Sequence, residues 1–171
     1  MTLESEQLRR AMRAWTTGVA IITARHEDIQ QGMTINSFTS LSLDPPLIMV
    51  ALQGQTRTHD LVKETGEFSV TILAEDQRDL SVRFARHEVE DRFAGIETEA
   101  LSLRAPLIEG GLAWFDCRVR QSHEVGQNTL FIAEVQAVRV FSTEGPLVYH
   151  NREYWKLSKR EDKDGVGSSD R

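Results

Sequence analysis

Apolar positions recur along the chain with two spacings. Leu8, Ala11, Met12 and Trp15 follow a helical repeat, and Gly18 lies just beyond them. This predicts an N-terminal amphipathic helix with Trp15 on its core-facing side. Val19-Ala20-Ile21-Ile22-Thr23 is rich in β-branched residues and predicts a strand. A polar turn follows over 27–32, and then the stretch GMTINSFTSLSLDPPLIMV. Leu47 to Leu52 predicts a buried strand entered through Pro45-Pro46. Phe68 to Leu73, Leu112 to Val119, Thr129 to Phe141 and Leu147 to His150 read as further strands. Two short helices are expected between them, Thr58 to Glu64, ended by Gly66, and Asp76 to Arg86. The span 87–103 has mixed polarity and predicts a long excursion.

Many strands and three short helices, without strict β–α alternation, point to a mainly β fold. An antiparallel barrel fits better than a parallel sheet. Alternation breaks down around residues 36–40. Odd positions there run Met33, Ile35, Ser37, Thr39 and Leu41; even ones run Thr34, Asn36, Phe38, Ser40 and Ser42. Both faces carry polar groups. A bulge that shifts the phase, an edge strand running into a solvated turn, or a polar ligand against one face would each produce this pattern.

Composition narrows the class. A chain of 171 residues is read as one domain, residues 1–157, with a polar tail, 158–171, expected to be disordered. The net charge of -6 argues against nucleic-acid binding. One cysteine, Cys117, excludes an internal disulfide framework. It shares a face with Phe115 and Val119 and is read as core. Trp114, on the opposite face with Asp116 and Arg118, is a candidate interface residue. The first fifteen residues carry charges throughout, so neither a signal peptide nor a membrane anchor is expected, and a cytoplasmic location is. Five scattered histidines without ligand spacing do not suggest a metal; His26 and His87 are read as solvated. No Gly-x-Gly-x-x-Gly follows a strand, and neither His-Glu-x-x-His nor Gly-x-Ser-x-Gly occurs.

Gln55-Thr56-Arg57-Thr58-His59-Asp60 opens the second helix. Free N–H groups at a helix start favour anions, and two hydroxyls with an arginine make a candidate phosphate site. Capping by Thr56 or Thr58 accounts for the hydroxyls equally well and is compatible with that role.

The segments TGVAIIT, GMTINSFTSLSLDPPLIMVAL, TRTHDLVKETGEFSVTIL, LSVRFA, DRFAG and PLVYHNREYWKL, in this order, resemble the short-chain flavin reductases. The resemblance spans residues 12–157. It implies a split β-barrel of the FMN-binding type, a homodimer, and delivery of reduced flavin to a partner monooxygenase. The cofactor would be FMN, with FAD also allowed, and the hydride donor NADH or NADPH. Hydride would pass from C4 of the nicotinamide to N5 of the flavin, and no side-chain nucleophile is needed.

The resemblance also implies that Met33, Thr34, Asn36, Ser37 and Phe38 line the flavin ring and ribityl chain. Gln53, Thr56, Thr58 and His59 would lie near the ribityl and phosphate; Arg57 joins them on its charge. Phe84, Ala85 and Arg92 would flank the cofactor from the excursion side. The family often has histidine where this chain has Asn128. An amide cannot carry its positive charge. Asn128, with His123 nearby, is therefore the candidate nicotinamide contact. That departure keeps two alternatives open: a flavin-binding electron carrier without nicotinamide activity, and a flavin-dependent reductase of a cobalt corrin.

Overall fold

The computed structural model describes residues 4–141 and 145–158. The expected tail, from residue 159 onward, lies outside the described residues. The elements in chain order are α1 (Ser5–Met12), β1 (Thr17–Gly18), β2 (Ala20–His26), β3 (Ile29–Ile35), β4 (Thr39–Leu43), β5 (Pro46–Gln53), α2 (Arg57–Thr65), β6 (Glu67–Ile72) and α3 (Arg78–Ala85). Then come β7 (Thr98–Glu99), β8 (Leu107–Ile108), β9 (Ala113–Val125), β10 (Asn128–Val140), β11 (Val148–His150) and β12 (Glu153–Trp155).

Seven strands form one antiparallel sheet in the order β3-β2-β6-β9-β10-β5-β4. Its edge strands, β3 and β4, are consecutive in the chain and separated only by residues 36–38. Four Cα steps span at most about 14 Å. The sheet must therefore curl until its edges nearly meet. No ladder joins them, so the barrel stays split. Ser37, in the linking residues, anchors them to β5: its Oγ donates to the Ala51 carbonyl at 2.8 Å and accepts from the Ala51 N–H at 3.2 Å. The anomalous pattern is thus a break between two strands at residues 36–38, followed by a register shift between Ser40 and Ser42 within β4.

Alternating residues fill the interior. Ala20, Ile22 and Ala24 of β2, Val50 and Leu52 of β5, Phe68 and Val70 of β6, Cys117 of β9 and Phe131 of β10 share one cluster with Leu61 and Val62 of α2. A side chain of this kind contributes about 1.5–3 kcal/mol when fully buried. Gly66 ends α2 in the left-handed conformation, φ 67°, as glycine at this cap allows. Cys117 is buried, and desolvation followed by the neighbouring Asp116 charge pushes its thiol far above the ordinary range.

Two sequence expectations are corrected. Trp15 is 67% exposed, and no residue of α1 is buried, because the helix projects beyond the sheet. Trp114 is 1% exposed and is no surface group. The excursion covers the outer face of β2, β6 and β9, and the Trp114 indole N–H donates to the Ile108 carbonyl at 2.8 Å. A second apolar cluster forms there from Val19, Ile21, Leu73, Phe84, Phe93, Ile108 and Leu147. The sheet is therefore buried on both faces in this region.

Candidate functional site

A groove runs along the seam where the barrel is split. Its first part is a cleft of about 450 Å³ between β3, the start of α2 and the end of α3. Met33, Thr34, Gln53, Thr56, Arg57, Thr58, Phe84, Ala85 and Arg92 all line it. The structure thus brings nine of the thirteen flavin-contact candidates to one wall.

Local chemistry explains the shape. Thr56 caps α2: its Oγ1 accepts the His59 N–H at 3.2 Å and donates to the Gln53 carbonyl at 3.0 Å. The N–H groups of Arg57 and Thr58, in the first turn, are not taken by this cap. Gly32 is required where α3 crosses β3. A Cβ there would sit 2.9 Å from Phe84 Cε1 and 3.2 Å from the Ile22 carbonyl oxygen. Thr34 Oγ1 donates to the Ser81 carbonyl at 2.7 Å and ties the middle of α3 to the strand.

Two guanidiniums define the electrostatics. Arg92 is held by carbonyls alone, donating from Nη1 to Gly32 and from Nε and Nη2 to Arg86 at 3.1 and 2.8 Å. Neither Arg92 nor Arg57 forms an ion pair with a described carboxylate. Burial first, and then the Arg57 charge, hold Arg92 below its usual pKa. Arginine stays charged regardless. Two like charges and a helix N-terminus face one cleft, and an anion between them would relieve the repulsion. The residues present fit a phosphate group.

Further along, the groove narrows to a chamber of about 210 Å³ sharing Thr34 and Ala85 with the cleft. Asn36, Tyr149 and Tyr154 wall it. Asn36 presents an exposed side-chain amide with no hydrogen bond to a described residue. Tyr149 and Tyr154 pack edge-on at 5.4 Å, and the Tyr154 hydroxyl meets Ser81 Oγ at 2.9 Å. These tyrosines were missed as site residues; the YHNREY run marks the hairpin that carries them but not its docking place.

Three candidates are placed differently. Ser37 lines the adjoining recess, yet its hydroxyl is engaged at the seam. Phe38 turns its ring to Phe115, at 5.3 Å, against the core. His59 points inward, 6% exposed, with Nε2 at 2.8 Å from Thr129 Oγ1 and Nδ1 at 2.8 Å from Asp60. It supports the cleft from behind. His87 instead lines the cleft while exposed, a position its sequence context did not signal.

Asn128 opens β10 opposite Gln53, at the rim. His123 lies opposite Leu130, on the same exposed face as Asn128, with Nε2 at 3.3 Å from Gln121 Oε1. The two are diagonal neighbours across the hairpin. A larger recess, about 680 Å³, lies beneath α3 and the excursion. Glu97, Glu99 and Glu109 line it, so it repels phosphate. Among the described residues no group of histidine, cysteine and carboxylates could hold a metal ion, and no helix is long and apolar enough to cross a membrane.

Known proteins resemble this chain in sequence and in fold. The reductase subunit HsaB of a flavin-dependent monooxygenase from Mycobacterium tuberculosis is 33% identical over 158 residues, covering 89% of this chain and 82% of the relative. SmoA of Agrobacterium fabrum, an FMN reductase (NADH), is 34% identical over 157 residues, covering 91% and 88%. The styrene monooxygenase flavin reductase of Pseudomonas putida S12 superimposes with a TM-score of 0.81 at 34% identity, covering 91% of this chain and 99% of that one. The sequence profile of the flavin reductase like domain matches residues 12–158. With a split barrel and a phosphate-ready cleft along its seam, the chain belongs to the flavin reductase like domain family.

Proposed function

We propose that this chain is an NADH-dependent flavin reductase that passes reduced flavin to a partner monooxygenase. The carrying observation is the seam groove, with two uncompensated arginines and a helix start at one end and a tyrosine-walled chamber beyond it. FMN fits this layout: Arg57, Arg92 and the first turn of α2 would hold its phosphate. Thr34, Gln53 and Ala85 would line the ribityl chain, and Asn36 would meet a polar edge of the ring. The flavin, when bound, supplies the hydride-accepting ring. The protein's part is to hold the donor against that ring and limit water's access to it. Asn128 and His123 would supply polar contacts at the rim for the donor.

The folded unit is read as one domain over residues 1–157, working in the cytoplasm. Exposed Leu43, Val138 and Val140 support pairing of two copies. Light scattering should then give twice the 19.4 kDa chain mass; a monomer at working concentration would dismiss the pairing.

Mixing the protein with FMN and NADH should consume NADH well above the rate with free FMN alone. Flavin that binds but accepts electrons from neither NADH nor NADPH would replace this reading with an electron carrier.

A further inference from the structure

Among the described residues two buried side-chain polar atoms lack a hydrogen-bond partner, Arg13 Nε and Thr17 Oγ1. Both residues line one cavity of about 360 Å³ at the far end of the groove. Folded proteins leave few such atoms unpaired, and both of these lie behind the wall of this cavity. Arg9 and Arg152 line the same cavity, and Asn36 and Tyr149 form its boundary with the tyrosine chamber. Glu6 is the carboxylate near Arg9 and Arg13, at 3.7 Å from each and largely exposed. One carboxylate against three guanidiniums leaves the cavity positive.

Arg152 carries a second sign. His150 pairs with Glu153, so Asn151 and Arg152 form a two-residue hairpin turn, with φ 49° and 68°. Two positive φ values define the turn in which glycine is strongly favoured at the second position. An arginine kept in a left-handed position points to a use for its side chain. The Asn151 N–H donates to the Arg13 carbonyl at 3.1 Å and locks the hairpin against the end of α1. Trp15 lines the cavity with its indole 67% exposed, free to stack on a planar base.

We propose that this cavity binds the diphosphate of the nicotinamide dinucleotide donor. Arg9, Arg13 and Arg152 take the phosphate oxygens, and Trp15 lies against the purine. The groove is then positive at both ends and neutral between. The flavin monophosphate sits by Arg57 and Arg92, and the donor diphosphate by the hairpin and α1. Assigning the diphosphate to a hydride donor rests on the flavin reductase reading; the anion site itself does not.

The probe is ADP-ribose, which carries the diphosphate and the purine without nicotinamide. Its binding to the full chain is measured by calorimetry, beside the double variant Arg9→Gln, Arg152→Gly. Glycine suits the turn at position 152, so the variant is expected to stay folded. The dissociation constant for ADP-ribose should rise about tenfold, equivalent to about 1.4 kcal/mol. The KM for NADH should rise likewise, while the KM for reduced nicotinamide mononucleotide and the affinity for FMN hold. No ADP-ribose binding by the unaltered chain, or equal binding by both forms, would overturn the site. A parallel rise for the mononucleotide would overturn the assignment to the diphosphate. ADP-ribose binding that depends on these arginines in a chain that ignores FMN would leave the diphosphate site standing and remove the flavin reading.

Discussion

Asp116→Ala is expected to lower the thermal midpoint by about 10 °C. Asp116 is completely buried in β9. Its Oδ1 accepts the Ser69 hydroxyl at 2.6 Å; its Oδ2 accepts the Ser102 N–H at 2.7 Å, the Leu103 N–H at 2.8 Å and the Ser102 hydroxyl at 3.0 Å. Alanine would leave these donors without their acceptor. Leaving one buried donor unsatisfied costs about 1–3 kcal/mol, so stranding several together costs about 3–5 kcal/mol. For a chain of this size each kcal/mol moves the midpoint by about 2–4 °C. The loss also reaches the site, because the excursion pinned at 102–103 carries Arg92 and Phe93. Asp116→Asn should recover part of the loss, since its amide oxygen still accepts while its NH₂ faces donors. Circular dichroism on heating measures both. A midpoint for Asp116→Ala within two or three degrees, roughly, of the unaltered chain would show that the excursion is held by other contacts.

Arg57→Ala is expected to weaken FMN binding about 10- to 100-fold and to leave riboflavin binding nearly untouched. A hydrogen bond to a charged group contributes about 1.5–3 kcal/mol, and each 1.4 kcal/mol is tenfold in affinity. Arg57 is exposed and has no described ion-pair partner, so its removal strands nothing. Arg92 is a poorer choice, because its guanidinium also braces the Gly32 and Arg86 carbonyls. The effect should shrink at physiological salt, where exposed charges are screened over about 8 Å. Flavin fluorescence quenching separates the two ligands. Equal losses for FMN and riboflavin would mean that Arg57 shapes the cleft rather than holds a phosphate.

Much of this architecture is legible in linear order because it rests on local rules. The alternation of Phe68, Val70 and Ile72, and the β-branched run before Thr23, specify strands. Gly66 ends α2 because the left-handed cap needs it. Thr56 and Arg57 mark a helix start suited to an anion. Segments in register between residues 12 and 157 carried the family. The order of elements and the cationic helix start at one end of the groove were therefore determined by the chain's own pattern.

Tertiary structure decided the rest. Period-two alternation assigns each strand an inner and an outer face but is blind to what covers the outer one. Trp114 and Asp116 therefore read as surface residues until the excursion docks on them. Trp15 has helical spacing and a core residue's chemistry, yet α1 finds no surface to cover. His59 turns inward instead of toward the cleft because a side chain's direction at a helix start depends on which strand lies behind it, while His87 is exposed as expected and also lines the cleft. Tyr149, Tyr154 and the arginine cavity gather from both ends of the chain, where sequence separation hides proximity. A pattern within one segment records that segment's own periodicity; which segments meet is set by how the sheet curls to close its seam.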